Sequence, residues 1–491
     1  MITLGIDLGT SAVKLILVGD DDQVLASASR PLTVQRPHPG HSEQDPQSWW
    51  AAVCAGLDEL RASAGNALAE TAAMAVSGHM HGATLIDAQG QVLRPCMLWN
   101  DGRSEAECAE LEAAWPALRQ VTGNLAMPGF TAPKLLWVRR HEPAIFARIA
   151  KVLLPKAWLI WRLSGEYVEE MSDASGTLWL DVGARRWSAP ALAACGLSEA
   201  QMPRLVEGNA VAAQLSAECT ARWGFKRAPL LAGGAGDNAA GAVGVGAVHP
   251  GDAFISLGTS GVLWANTAGF APNPGRAVHA FCHAVPHTWH QMGVLLSAAS
   301  CLAWWAGVCG QPEASLIAEA QALPAASDHA EPVFFAPYLA GERTPHNNAR
   351  LRGGFANLSP DSSRAAMTQA VLDGVAYALR DCQAALADAG TQLSEAALIG
   401  GGARSAHWAQ TLADVLGLTL HQVAESEHGG ALGAARLARM AAGGGGLEIA
   451  RPARRLRSFE PHSTATALHT ERHARWQRLY THARDFSSNP S

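Results

Sequence analysis

A lone aspartate, Asp237, stands in a run of glycine and alanine from Leu231 to Gly246, LAGGAGDNAAGAVGVG. Residues this small let a ligand come close, and a carboxylate among them has few local partners. Set beside an alcohol, it can accept the hydroxyl proton as that oxygen attacks phosphorus. Asn238 adds an amide next to it. Aspartate also caps helices well, and a cap at the mouth of a cleft can still face a ligand.

A second acid, Asp7, ends the apolar run Ile2 to Ile6, just before the turn Gly9-Thr10-Ser11. Glycine lets backbone N–H groups approach a phosphate closely, and the Thr10 and Ser11 hydroxyls add donors. A carboxylate beside phosphates is repelled unless Mg²⁺ lies between them, and Mg²⁺ is held by one or two carboxylates, waters and phosphate oxygens. Asp7 therefore reads as a metal-side residue. Lys14 can reach a phosphate oxygen or serve as a solvated lysine on an edge strand; spacing alone favours neither. The same turn returns in Ile255-Ser256-Leu257-Gly258-Thr259-Ser260, where Gly258 and Thr259 repeat the phosphate chemistry and Ser256 replaces the acid. A third glycine cluster, Gly400-Gly401-Gly402, follows the strand-like Ala396 to Ile399 and precedes a helix-like stretch. Gly401 and Gly402 can pass under an adenosine near a helix N-terminus, although an ordinary strand–helix connection has the same composition.

Two further segments suit a polyhydroxylated ligand, which needs an apolar wall and several convergent polar groups. Ser77-Gly78-His79-Met80-His81-Gly82 sets histidines among glycines, and Trp99-Asn100-Asp101-Gly102-Arg103 puts an indole beside an amide, an acid and a base. The group His279, Cys282, His283, His287 and His290 has a spacing that tempts a zinc assignment. It lacks a second thiolate and Pro286 breaks it, so core or solvated histidines fit better.

The elements that must position these residues begin strand–turn–strand: Ile2 to Ile6, Val13 to Val18 and Val24 to Ser29. That opening separates the phosphate turn from the Walker and Rossmann types, which run from strand to helix. Recurrence of the turn half a chain later predicts two related domains gripping one ligand, against the alternative of unrelated hairpins with shared turn chemistry. His249-Pro250-Gly251 breaks the chain, and beyond residue 440 a glycine run, Gly443 to Gly446, ends the periodicity. The expected units are residues 1–248, 249–440 and a C-terminal extension, 441–491. Ser363 to Ala389 reads as a helix with Met367, Val371, Val375 and Leu379 on its core face.

Composition narrows the classes. A chain of 491 residues exceeds one compact core. With 48% apolar and 16% charged residues it is ordinary globular material. A net charge of −6 argues against a nucleic-acid partner. The N-terminus has neither a basic region nor a long apolar stretch, so no signal peptide is expected. The most apolar run, Leu153 to Leu163, is interrupted by Lys156 and Arg162, and no membrane span is expected. Nine scattered cysteines fit reduced thiols in a cytoplasm.

The stretches IDLGTS, GHMHGATLIDAQGQVLRPCMLWNDGR, PGFTAPKLLWVRRHEP, GAGDNAAGAVGVG, ISLGTSG, PYLAGERTPHNN and LIGGGARS, in this order, resemble the FGGY carbohydrate kinases over residues 2 to 440. The resemblance implies an α/β fold of two actin-like (ribonuclease H-like) domains around a cleft, with the sugar mainly in the first and ATP-Mg²⁺ between them. It implies Asp237 as catalytic base, Asp7 near the metal, sugar contacts at Met80, His81, Trp99, Asn100, Asp101 and Asn238, and nucleotide contacts at Thr10, Ser11, Lys14, Gly258, Thr259, Gly401 and Gly402. GHMHG with WNDGR is its specific part and implies phosphorylation of D-xylulose; other ketopentoses or polyols are the nearest alternatives. A nucleotide-gated actin- or chaperone-type binding protein is the alternative from another class. Members of the family are cytoplasmic and often dimerise, so a homodimer is an expected assembly. This chain departs from the usual pattern at Asn357 and Ala235, where glycine is common.

Overall fold

The computed structural model describes residues 1–323, 331–424 and 428–488. Two sheets organise it. The first contains β1 (Ile2–Leu8), β2 (Ala12–Val18), β3 (Val24–Pro31), β4 (Thr71–Gly78), β5 (Val211–Gln214) and β6 (Leu230–Ala232), in the order β5-β6-β4-β1-β2-β3. The second contains β7 (Ala253–Leu257), β8 (Gly261–Thr267), β9 (His279–Cys282), β10 (Trp289–Leu295), β11 (Glu395–Ile399), β12 (Thr419–Val423) and β13 (Arg455–Phe459), in the order β9-β10-β8-β7-β11-β12-β13. Six helices matter for the site: α1 (Pro46–Ala69), α2 (Asp237–Val245), α3 (Arg364–Asp388), α4 (Ala406–Leu416), α5 (Gly429–Ala441) and α6 (Ser463–Trp476).

The two sheets share one plan. β1 pairs antiparallel with β2 and parallel with β4, as β7 pairs antiparallel with β8 and parallel with β11. The repeat seen in the two glycine turns thus extends to whole sheets. It also makes the segment after β4, which holds Met80 and His81, the counterpart of the Gly400–Gly402 turn after β11.

Strand β1 is buried on both faces, and Leu4, Ile6 and Leu8 are fully enclosed. On one side lies α1, started by Asp45 accepting from the Gln47 N–H at 3.0 Å with Pro46 at its first position. It buries Trp49, Val53, Leu57 and Leu60, each stabilising the fold by roughly 1.5–3 kcal/mol. On the other side lies α5, which carries the chain from the second half back onto the first sheet. There Ala431, Leu432 and Ala435 pack on Ile16 and Val18, and Ala434 and Ala438 on Ala73, Ala75 and Ala232. Small residues make this possible: a Cβ on Gly433 would fall 1.8 Å from the Ala240 carbonyl oxygen of α2. The α2–α5 pair is therefore a tight, glycine-dependent crossing at the root of both domains.

Helix α3 spans the predicted range, capped by Ser363 accepting from the Ala366 N–H at 3.2 Å, and it buries Val371, Val375 and Leu379 completely. Residues beyond 440 are not a bare tail. β13 pairs antiparallel with β12, and α6 buries Trp476, whose indole N–H donates to the Phe335 carbonyl at 2.7 Å. The lost periodicity reflects short elements that pack on an existing sheet. Asn357 adopts φ +62°, the left-handed region that glycine favours and asparagine tolerates. Among the described residues no helix is long and apolar enough to cross a membrane.

Candidate active site

Asp237 lies at the point where the first sheet gives way to α2. Gly236 is the N-cap, so Asp237 is the first helical residue and not the cap its type allows. Its carboxylate accepts from the Asn238 N–H at 2.8 Å and the Asn238 side-chain amide at 3.0 Å. It keeps some contact with solvent although protein surrounds it. That burial first, and the nearby Asp7 second, push its carboxyl up to about 7. A carboxyl poised there suits a base working near neutral pH.

Asp7 faces it from the end of β1. It accepts from the Ser77 hydroxyl at 3.0 Å and lies across the hairpin from Lys14. Burial raises its carboxyl, partly offset by Ser77 and Lys14. The N-terminal turn of α5 closes over it: a Cβ on Gly430 would stand 2.9 Å from the carboxyl carbon of Asp7. Nothing in the sequence ties Gly430 to residue 7, and this contact was not foreseen.

Met80 and His81 follow. A Cβ on Gly236 would come within 2.9 Å of Met80 Cγ, so Met80 lies directly under the Asp237 step. His81 has φ +70°, held from two sides: its Nδ1 bonds the Gly176 carbonyl at 2.8 Å, and the Lys134 ammonium donates to the His81 carbonyl at 2.9 Å and the Gly129 carbonyl at 2.7 Å. A carbonyl only accepts, so Nδ1 carries the proton and Nε2 is left as an acceptor for a hydroxyl. Burial drives the His81 imidazole down to about 3, and it stays neutral. Lys134, wholly enclosed, is lowered to about 7 by burial.

Trp99 is 50% exposed and its indole N–H donates to Thr10 Oγ1 at 3.1 Å. Asn100 is exposed beside it, and Asn238 is exposed at the start of α2. Asp101 corrects an expectation. Its carboxylate is enclosed and takes four hydrogen bonds, from Ser42 N, Arg103 N, Arg103 Nε and Arg103 Nη2, at 2.6 to 3.1 Å. Burial opposes its ionisation, but these bonds outweigh it and hold the carboxyl below its usual range. Asp101 organises the loop that presents Trp99 and Asn100 and has no oxygen left for a sugar.

The glycine turns are held in different ways. The Gly9 N–H closes on the Ala12 carbonyl at 3.0 Å, leaving Ser11 and Lys14 exposed. Gly258 and Thr259 carbonyls are taken by the Ala299 N–H at 2.8 Å and the Ala298 N–H at 2.9 Å, which ties this turn to the next helix. Gly400 has φ +95° against Leu257, and Gly401 and Gly402 open a short 3-10 turn beside the second hairpin.

The histidine group is core except for His287, which is exposed. His279 Nδ1 bonds Asn124 Oδ1 at 3.0 Å, His283 Nε2 bonds the Ala247 carbonyl at 3.1 Å, and the His290 ring stacks on Trp264 at 3.7 Å. Among the described residues no three His, Cys, Asp or Glu side chains converge as a metal cage. Asp7 remains as the carboxylate that fits Mg²⁺, which arrives with phosphates and waters and needs only one or two carboxylates.

A buried charge cluster behind Asp237 also escaped the sequence reading. Lys156, fully enclosed, pairs with Glu169 and lies 4.0 Å from Glu170 and 3.9 Å from Asp173. Glu170 accepts from Ser172 N and Asp173 N, each at 2.7 Å, and from Gly236 N at 3.2 Å, so it fixes the residue just before the base. The available signal was the run Glu169-Glu170-Met171-Ser172-Asp173, dense in acids near a lysine inside an apolar stretch.

Two sheets built on one actin-like plan have the architecture of the sugar kinases. Residues 2–244 match the N-terminal domain of the FGGY family of carbohydrate kinases, and residues 253–442 match its C-terminal domain. The chain belongs to this family and is a carbohydrate kinase. It is 52% identical over 440 residues to the xylulose kinase of Escherichia coli strain K12, covering 89% of this chain and 90% of that protein. A crystal structure of a xylulose kinase from Brucella ovis superposes with a TM-score of 0.95 at 49% identity, over 99% of this chain and 100% of that one. A xylulose kinase structure from Rhodospirillum rubrum gives 0.92 at 30% identity, over 100% of both chains.

Proposed function

We propose that the protein transfers the γ-phosphoryl group of ATP to the terminal hydroxyl of D-xylulose, giving D-xylulose 5-phosphate and ADP. The observation that carries this reading is the placement of Asp237 beside Asp7 on one side and Met80 and His81 on the other. Asp237 takes the hydroxyl proton as that oxygen attacks phosphorus in line. His81, neutral and fixed by Gly176 and Lys134, accepts a sugar hydroxyl at Nε2. Met80 and Trp99 supply apolar wall, and Asn100 and Asn238 supply amides. Bound Mg²⁺ would neutralise charge on the phosphates, with Asp7 as its protein-side carboxylate and Asp237 left free to take the proton. Thr10, Ser11, Lys14, Gly258 and Thr259 hold the phosphates, and Gly401 and Gly402 lie under the adenosine. Closure about the α2–α5 crossing keeps water from the phosphoryl group. Nine free cysteines suit a reducing compartment, and the reading places the enzyme in the cytoplasm. A panel of ketopentoses and polyols at equal concentration, with coupled ADP detection, tests it: D-xylulose should give the highest kcat/KM, and a clear preference for another acceptor would reject the assignment.

A further inference from the structure

Arg343 lies in the loop GERTPHNN of the second half, and the loop is firmly held. The Glu342 N–H donates to the Asn348 carbonyl at 2.9 Å, and the Asn348 N–H returns to the Glu342 carbonyl at 2.8 Å. Thr344 Oγ1 accepts from Val294 N at 3.0 Å and donates to the Ala277 carbonyl at 2.8 Å. From this base the Arg343 side chain crosses to the first half, where Nη1 meets the Met127 sulfur. Met127 begins the turn that ends in Phe130, whose ring lies 4.6 Å from His81 and 5.7 Å from His279. The Arg343 charge adds to burial in depressing both imidazoles, which puts the guanidinium in their neighbourhood.

Among the described residues Arg343 forms no ion pair, and its Nη1 meets a thioether, a weak acceptor. Glu342 next to it acts on it through space but makes no ion pair with it. One Glu342 oxygen is taken by the Leu296 N–H at 3.0 Å and the Arg343 N–H at 2.7 Å, and burial pushes this carboxyl up to about 8. A guanidinium withdrawn from water without a direct ion-pair partner is costly. Its planar fork suits a ligand offering two coplanar oxygens.

Asp237, Met80 and His81 are packed in succession. A Cβ on Gly176 would come within 2.5 Å of His81 Nδ1 and 3.2 Å of Met80 Cε. Arg343 meets the Met127–Phe130 turn that packs on His81, which sets it at the His81 end of the site and, in the proposed pose, toward the end of the sugar away from the reacting hydroxyl. In a 2-ketose phosphorylated at its other terminus, that end is an α-hydroxyketone with two oxygens in one plane.

We propose that Arg343 is a specificity-determining residue that reaches from the second domain and donates hydrogen bonds to the C2 carbonyl and C1 hydroxyl of the ketose. The inference rests on the phosphoryl-transfer reading above. It makes the sugar site bipartite, with the base and His81 from one domain and the ketone contact from the other.

The test compares D-xylulose with xylitol, which lacks the carbonyl, as acceptors for the wild type, Arg343→Met and Arg343→Lys in a coupled ADP assay. Losing a charged hydrogen-bond donor should raise the D-xylulose KM of Arg343→Met by about tenfold or more. The ATP KM should hold, and the ratio of kcat/KM for D-xylulose over xylitol should collapse. Arg343→Lys should fall between, because it keeps charge and loses the fork. An equal loss on both acceptors, or an unchanged D-xylulose KM, overturns the inference. If Arg343→Met fails to fold, the same two readouts on Arg343→Lys decide. A wild type inactive on D-xylulose would overturn the phosphoryl-transfer assignment itself, a result distinct from any change in the ratio.

Discussion

The indole N–H of Trp99 donates to Thr10 Oγ1 at 3.1 Å, joining the aromatic wall proposed for the sugar to the turn proposed for the phosphates. Gln44 reinforces the joint by donating to the Thr10 carbonyl at 2.8 Å while accepting from the Trp49 indole at 2.9 Å. Two sites that the sequence holds 89 residues apart are thus one mechanical unit. Trp99→Phe keeps the ring and removes the donor. Steady-state kinetics should show the KM values for sugar and ATP rising together, by about two- to tenfold for one hydrogen bond. A change in only one of them would show that the two sites are independent.

The ionisation of Asp237 gives two pH dependences of opposite sense. As a base it must be charged, so kcat/KM should fall as pH drops through about 7, the value to which burial and Asp7 lift it. Stability runs the other way. Between the ordinary value of 3.8 and about 7, folded Asp237 holds a proton that the unfolded chain has released. Stability therefore declines as pH rises across that window and is lowest above it. Asp237→Asn removes the decline: its Tm should exceed that of the wild type at alkaline pH, and the gap should close on acidification.

Gly430 has no space for a side chain beside Asp7. A Cβ there would lie 2.9 Å from both the carboxyl carbon and Oδ1 of Asp7. Gly430→Ala should displace that carboxylate and lower kcat by about 10²-fold, the scale of a 1 Å misplacement, with little change in melting temperature. Wild-type kcat in this variant would show that the position of Asp7 is not critical.

The α2–α5 crossing should be as sensitive, but in stability. Gly433→Ala puts a methyl 1.8 Å from the Ala240 carbonyl oxygen. Overpacking of this kind costs about 1–3 kcal/mol, which denaturant unfolding would register as a lower midpoint at unchanged slope.

Much of this was legible in the sequence, and the limits have physical causes. Local signals carried furthest: the Gly9 and Gly258 turns, Asp237 among small residues, and the α3 stripe all follow from neighbours in the chain. Contacts made by distant segments were opaque. Gly430 reads as one more small residue in an alanine-rich helix until the chain returns to β1. Lys156 read only as an interruption of an apolar run, since nothing adjacent announces that Glu169, Glu170 and Asp173 surround it. Asp101 was misjudged because a polar residue beside Trp99 suits a sugar equally well, and only the fold shows that Arg103 and Ser42 occupy it. Arg343 lay in a motif used for the family resemblance, with no local hint that it crosses to the other domain.

Sugar-dependent ADP release by Asp237→Asn at saturating D-xylulose and ATP bears most directly on the proposed chemistry. Loss of the base should lower this rate by about 10²–10⁴-fold, while D-xylulose still quenches or shifts tryptophan fluorescence on binding. Turnover comparable to that of the wild type would contradict the assignment of Asp237 as the group that deprotonates the attacking hydroxyl.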